Sequence, residues 1–310
     1  MLRLARTTYN AIPSGAEMSL RFDCPSFGSL EAVAGAAEAA IVAVPTVFHA
    51  EVASTLLELG LDVLVEKPIA SSVPEARALL SLAQGKGRIL QVGHLERYNP
   101  ALLALRREIT LPLFFEIHRM SLFTPRSLDI DVVLDLMIHD LDIVLSAVGA
   151  LPDEIRATGI QILSEKVDIA NVRLAFPGGC VANLTASRVS TDKVRKLRLF
   201  QPYQYFSVDY TKREGVVFDV DRSDRRIGFR QLDVQPGEPL RLEIEDFVAC
   251  IRERRTPLVD GEAAASALEV AHAILDKIGE HGQLVERSVE RYESSARHDS
   301  GGLTELDKGS

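Results

Sequence analysis

The chain has few cysteines, three in 310 residues, and they stand far apart at Cys24, Cys180 and Cys250. Such a set makes neither a disulfide framework nor a C-x-x-C metal pair, and it predicts a reducing, cytoplasmic home. No run reaches the ~18 apolar residues of a membrane-spanning helix, so no helical membrane anchor is expected. Positive charge is also in short supply: 35 Lys and Arg stand against 44 Asp and Glu, a net charge of -9. An acidic chain repels nucleic acid and anionic lipid at long range, so neither is an expected partner. Arg3 and Arg6 have no apolar core behind them, and Pro13 and Gly15 interrupt a helix there, so no secretory or transit signal is expected. The hydrolase signatures G-x-S-x-G and H-E-x-x-H are missing as well.

What remains is an ordinary globular composition, 46% hydrophobic and 25% charged. At ~150 residues per domain the length fits two domains. The first half alternates short apolar runs with helical stretches. Residues 39–44 (AAIVAV), 61–65 (LDVLV) and 88–92 (RILQV) read as buried strands. Between them the pattern predicts a helix from His49 to Leu59, capped by Thr46 and stopped by Gly60. A second helix opens on the Ser72/Glu75 capping box and ends at Gly85. Strand and helix alternating in this way is the signature of a parallel sheet with helices on its faces. Ligands of such sheets bind beyond the carboxyl ends of the strands. That places Pro45-Thr46, Glu66-Lys67-Pro68 and Gly93-His94 at the expected ligand edge.

The second half changes character. Pro100–Glu108 reads as a short helix and Leu113–Arg119 as a strand. Asp131–Val148 is apolar at Val133, Leu134, Met137, Ile138, Leu141, Leu145 and Val148, which is helical spacing. From Glu154 to about Phe229 come seven short runs rich in β-branched residues, separated by turn signals such as Pro177-Gly178-Gly179. They predict a large, mainly antiparallel sheet. Helices from Leu240 to Glu253 and from Gly261 to Ile278 close the domain, and a polar tail follows from Arg287.

The stretches VPTVFHAEVASTLLELGLDVLVEKPIA (44–70), GHLERYNPA (93–101), DLMIHDLDIVL (135–145) and PLVDGEAAASALEVAHAIL (257–275) resemble the glucose–fructose oxidoreductase/inositol dehydrogenase (Gfo/Idh/MocA) family. Within it, GHLERYNPA and the run from Val167 to Ser190 resemble the branch of UDP-N-acetylglucosamine 3-dehydrogenases, which supply amino-sugar precursors of lipid A. The family opens with a strand, a G-x-G-x-x-G turn and a helix, and no G-x-G-x-x-G occurs in this chain. The implied fold is α/β: an N-terminally truncated Rossmann-like parallel sheet, joined to a C-terminal α+β domain with a large mainly antiparallel sheet. The implied division is a partial NAD(P)-binding domain over 1–99, a substrate-binding and oligomerisation domain over 100–286, and a flexible tail over 287–310.

The resemblance also assigns roles. Lys67, at a strand end, would polarise the reacting hydroxyl, since an ammonium there favours alkoxide character as hydride leaves. His139 would be the general base, imidazole having an ordinary pKa near ~6.5. Asp135, four residues before it on the same helix face, would share the site. Pro45, Thr46, His49, Glu66, Lys67 and Pro68 are expected against NAD or NADP. From their place at the end of the third strand, His94, Arg97, Tyr98 and Asn99 are expected either against a sugar-nucleotide substrate or as a link between the domains. Arg188, near the basic stretch Lys193, Arg195, Lys196 and Arg198, is expected either against the diphosphate of that substrate or on a solvated strand face. Asp129, Asp131, Asp135, Asp140 and Asp142 crowd around His139, but one histidine among scattered aspartates lacks a zinc-like ligand count, and no metal is expected. A homo-oligomer is expected from the exposed face of the second sheet. Two readings stay open at this point: an NAD(P)-dependent oxidoreductase acting on a hydroxyl of a sugar nucleotide, best UDP-N-acetylglucosamine C3, or a cofactor-deficient relative that binds a ligand or pairs with an intact subunit.

Overall fold

The computed structural model describes residues 19–123 and 130–301. The readings made on residues 1–18, on Asp129 and on residues 302–310 lie outside the described residues.

Three parallel strands, β1 (Ala39–Val42), β2 (Asp62–Glu66) and β3 (Leu90–Gly93), lie side by side in chain order. The residues of β3 and the first four of β2 are buried, as a strand covered on both faces requires. Helix α1 (Leu30–Ala34) precedes β1, α2 (His49–Glu58) joins β1 to β2, and α3 (Val73–Lys86) joins β2 to β3. Helix α2 buries His49, Val52, Ala53, Leu56 and Leu57, a single stripe at three- and four-residue spacing. The Ser72/Glu75 capping box forms with both reciprocal hydrogen bonds.

Two local expectations are corrected. Helix α3 runs through Gly85 and ends on Gly87, whose φ of 61° is the left-handed conformation that a helix stop needs. Gly85 precedes that turn and keeps helical backbone. Thr46 does not cap α2 with its side chain; it starts a 3-10 turn, Thr46–Phe48, that leads into the helix.

Helix α4 (Pro100–Arg106) leads to the second layer, an eight-stranded sheet. Its strands are β4 (Phe114–Leu122), β5 (Glu154–Ile160), β6 (Ile169–Ala175), β7 (Val181–Ser190), β8 (Val194–Gln201), β9 (Gln204–Asp209), β10 (Glu214–Val220) and β11 (Ile227–Gln231). They lie in the order β11-β10-β9-β8-β4-β7-β6-β5. All neighbours are antiparallel except β4 and β7, which run parallel. Each run expected as a strand is one. Burial alternates along β6, β7 and β8, so one side of each lies in the core. Helix α7 (Gly261–Gly301) packs against β5 and against helix α5 (Ile138–Val148). On the outer face, Phe114, Phe200, Tyr205, Phe218 and Phe229 stand opposite one another on five successive strands, ring centroids 4.7–5.7 Å apart.

The helix expected over Asp131–Val148 is two pieces. Val133–Met137 is a π-helical turn, in which the Ile138 amide donates to the Val133 carbonyl, and α5 follows it. Helix α7 continues past Ile278 to Gly301, so the segment expected as a loose tail from Arg287 is helical to that residue. Its last buried apolar residue is Ile278; beyond it Leu284 and Val285 are exposed, and a run of good helix formers carries the helix on.

The chain returns to the parallel sheet through helix α6 (Pro239–Glu253). Arg254 pairs with the buried Asp62 at 2.7 Å, Val92 N–H donates to Val259 O, and Gln91 Nε2 donates to Glu243 O. The carboxyl ends of β2 and β3 meet the start of α5 separately, through Lys67 against Asp135 and His94 against His139.

Candidate active site

Lys67 follows the last residue of β2, and the Lys67–Pro68 peptide is cis. Its ammonium donates to the Asp135 main-chain oxygen at 2.6 Å and to Asp135 Oδ1 at 3.1 Å. Asp135 belongs to the π-helical turn, a device that recurs at functional sites because it re-aims a helix mid-course. His139 stands one turn further on. The structure therefore brings Lys67, Asp135 and His139 together across the two layers.

His139 Nδ1 is buried without a partner among the described residues. Burial, and then the positive charges of Lys67, Arg119 and Arg195, hold its pKa well below the usual imidazole range. At neutral pH the ring is thus uncharged and free to take a proton. His94, fully buried at the end of β3, meets the His139 ring edge to face, centroids 5.9 Å apart. Neither ring nitrogen of His94 has a partner among the described residues. Burial lowers the His94 pKa too; the Asp142 charge opposes that and the Lys67 and Arg97 charges add to it.

Beneath the histidines lies a buried ion-pair network. Arg119 is 1% exposed and grips Asp140 in a two-bond fork, Nε to Oδ2 and Nη2 to Oδ1, both 2.7 Å. Its Nη1 donates to Glu96 at 3.0 Å, and Arg195 donates to the same carboxylate oxygen at 3.1 Å. The guanidinium also stands 5.5 Å from the centre of the Tyr210 ring. Burial works against the Arg119 charge, but the Asp140 carboxylate outweighs it and lifts the pKa above the usual range. This network ties β4, β8 and the turn after β3 to the residue next to His139. Arg119 was missed in the sequence, yet a signal existed: it has the parity of Phe115 and Ile117, and a lone charge on the inward side of a strand demands buried partners.

The remaining expected site residues divide in two. Pro45 and Thr46 shape the loop after β1, where Thr46 O lies 3.4 Å from the Ser71 hydroxyl. Glu66 lies over Gly93: a Cβ there would sit 2.9 Å from Glu66 Oε2 and 3.3 Å from Glu66 Cα, so any larger residue displaces the Glu66 side chain and presses on its backbone. Pro68 offers its carbonyl to His49 Nδ1 at 2.7 Å, while His49 Nε2 meets Val44 O at 2.9 Å. The His49 ring is buried and both nitrogens are engaged by main chain, so it braces the loops after β1 and β2. Arg97 donates to Asp142 at 3.2 Å and to Leu258 O at 3.1 Å. Tyr98 is buried, its hydroxyl donating to Asp246 at 2.8 Å. Asn99 caps α4 and donates to Tyr210 O. Arg188 is buried against the carbonyls of Ile130 and Val167 and lies 3.4 Å from Asp168. These four side chains are thus spent on the protein itself. The other aspartates are also committed: Asp131 accepts from the Val167 amide, and Asp140 and Asp142 each hold an arginine.

Residues 8–94 match the family described as oxidoreductases with an NAD-binding Rossmann fold (GFO_IDH_MocA), and residues 117–202 match the GFO/IDH/MocA C-terminal domain. The chain is 36% identical over 274 residues to UDP-N-acetylglucosamine 3-dehydrogenase of Acidithiobacillus ferrooxidans, covering 84% of this chain and 86% of that one. It is 26% identical over 282 residues to scyllo-inositol 2-dehydrogenase (NAD(+)) of Bacillus subtilis, covering 82% and 79%. A solved structure of the Acidithiobacillus enzyme superposes with a TM-score of 0.83 at 34% identity, over 87% of this chain and 88% of that one. Levoglucosan dehydrogenase in complex with NADH and levoglucosan shares the fold, with a TM-score of 0.80 at 19% identity over 90% and 88%.

Proposed function

Because the chain belongs to the Gfo/Idh/MocA family of NAD-binding oxidoreductases, we propose that it oxidises a secondary hydroxyl of a sugar nucleotide, with C3 of UDP-N-acetylglucosamine as the best candidate. The observation that carries this reading is the meeting of Lys67, Asp135 and His139 at the strand ends. The 36% identity to a UDP-N-acetylglucosamine 3-dehydrogenase supports the substrate. By the same likeness the product would be a 3-keto sugar nucleotide on the way to amino-sugar precursors of lipid A. A cytoplasmic home fits the three unbridged cysteines, and a second copy of the chain suits the aromatic ladder on the outer sheet face.

The residues present fit the nicotinamide end of a dinucleotide. The loops of Thr46 and Lys67 flank the strand edge, and His139 Nδ1 and both His94 nitrogens are buried polar atoms without protein partners. Pro45, Thr46, Lys67 and Pro68 would hold that end, with Glu66 and His49 fixing their loops. NAD or NADP, when bound, supplies the hydride acceptor. Lys67 binds the substrate oxygen and stabilises the negative charge that grows there. Asp135 keeps the ammonium in place. His139, uncharged at neutral pH, takes the hydroxyl proton.

The test is UDP-N-acetylglucosamine-dependent reduction of NAD or NADP by the purified chain. Lys67→Ala and His139→Asn should each lower kcat by about 10²–10⁴-fold. Circular dichroism spectra should match the parent's. A folded chain that binds UDP-N-acetylglucosamine but neither NADH nor NADPH would overturn this reading and favour a cofactor-deficient binding subunit, to which the missing G-x-G-x-x-G points.

A further inference from the structure

Oxidation of an alcohol by hydride transfer releases one proton, and the base that takes it must pass it on. His139 lies in a site that substrate would cover. Its Nδ1 is sealed from solvent and unpartnered, so the proton needs a route through the protein. Behind it stands His94, fully buried, with two unpartnered nitrogens and its ring 5.9 Å from that of His139. Asp142 lies three residues beyond His139 on α5, hence on the same helix face. It too is buried, and its Oδ2 has no partner, while Oδ1 is held by Arg97 at 3.2 Å. Arg97 is fixed in turn to the His94 loop, its amide donating to the His94 carbonyl at 2.9 Å. Asp142 also lines a surface cleft of about 350 Å³, shared with Leu145, Ser146, Gly149, Asp260 and Glu262.

Unsatisfied polar atoms are rare in native interiors, and a run of them in one place marks ordered water. We propose that His94 and Asp142, bridged by buried water, relay the substrate proton from His139 to the cleft between α5 and the start of α7. The proton arrives at Nε2 of His139, and Nδ1–H gives a proton to water. Water passes one to His94, whose opposite nitrogen delivers one towards Asp142 Oδ2. Asp142, sealed at the floor of the cleft, releases it there when a movement of its side chain admits solvent. Each group gives up one proton for each it receives, so no further reactant is consumed. Each imidazole ends in the opposite tautomer, and rotation of the ring or return hopping through the same water restores it before the next turnover. The proposal rests on the oxidoreductase reading. It adds His94 and Asp142 as positioning and proton-carrying residues behind the base.

The groups that set the relay's charge balance come from every side. Lys67 and Asp135 lie at the substrate end, Arg119, Arg195 and Asp140 beneath, and Arg97 and Asp142 at the far end. Two measurements test the relay, one without any cofactor. In ¹⁵N-histidine NMR of the ligand-free chain, Asp142→Asn should lower the midpoint of the His94 titration by at least about half a unit, since a facing negative charge is lost. His94→Gln should move the His139 titration in the opposite direction, upwards, since a facing positive charge is lost. In the activity assay, His94→Ala should lower kcat about ten- to hundredfold with KM unchanged, and raise the solvent deuterium isotope effect. Added imidazole should restore part of kcat. Unmoved titrations in both variants overturn the relay. So does a His94→Ala enzyme with its kcat and isotope effect intact, which would leave the oxidoreductase reading standing. A chain inactive from the outset but with coupled titrations supports the relay's connectivity and sinks the oxidoreductase reading instead.

Discussion

Gly93 shows how tightly single residues define this site. Glu66 and Gly93 are paired across β2 and β3, and any Cβ at Gly93 meets the Glu66 backbone as well as its carboxylate. The Gly93→Ala variant must shift the turn that carries Lys67. It should lose about 1–3 kcal/mol of stability, read as a lower Tm, and lose activity beyond what that destabilisation explains. An unchanged kcat would mean that the turn absorbs the methyl group. A second residue-scale effect concerns Glu243, which is buried with Oε1 unpartnered. Burial first, and the Glu66 charge second, push its pKa up to about 8. The unfolded chain gives up this proton near pH ~4.3. The folded state therefore binds the extra proton between those values, and stability falls as pH rises from about 4.3 to 8. Glu243→Gln should leave Tm little changed at pH 5 and raise it increasingly towards pH 9, by an equivalent of roughly 5 kcal/mol. Parallel Tm curves for parent and variant would refute the shift. At this scale the sequence was legible where residues sit in a spaced motif, as Lys67, Asp135 and His139 do. For Arg119 it held only the hint of strand parity, and it was mute on Glu96 and Glu243, because the importance of all three lies in partners far away in the chain.

At the scale of elements, local chemistry carried most of the pattern. The capping box, the apolar β2 and the single stripe of α2 were all readable because their causes lie within one element. The π-helical turn was not, since the same apolar spacing serves an α-helix, and what holds the extra residue is the Lys67 ammonium from another layer. The loop between β5 and β6 is likewise built by a distant-looking residue, Asp168. It is fully buried and accepts hydrogen bonds from the amides of Ile162, Leu163 and Ser164 and from the Ser164 hydroxyl. Burial alone would raise its pKa, but these donors together outweigh it and hold the carboxyl at about 2. A depressed acid stabilises the fold above its unfolded value near pH ~3.9, and that contribution is lost as pH falls towards 2. Asp168→Asn should therefore be less stable than the parent at pH 6, with the gap closing below pH 4 in denaturant titrations. A gap independent of pH would assign the loss to packing alone.

For the whole molecule, the two-layer division was legible from the change of period near residue 100, from helix-strand alternation to short β runs. The return of the chain was not. Arg254 reaches Asp62, and Tyr98 reaches Asp246, so the second half clasps the first through α6. Tyr98, Asn99 and Arg97 follow a strand end, and the sequence leaves two roles open for them, substrate contact and a link between the domains. They serve this clasp because the same strand end is also where the halves meet. The position of the site at that junction means that substrate contacts and domain contacts compete for the same few residues.

The placement of β4 has a consequence for how the molecule is made. It is the first strand of its sheet in sequence, yet both its neighbours, β7 and β8, come much later. Two meanders, β5-β6-β7 and β8-β9-β10-β11, can each zip locally, whereas β4 must be inserted between them. At about 5–20 residues per second, synthesis from Leu122 to Gln201 takes on the order of ten seconds. Throughout that interval both edges of β4, and the side chains of Phe114, Phe115 and Ile117, have no place to go. The strand that later carries Arg119 beneath the site is thus the segment most in need of chaperoning while the chain is born.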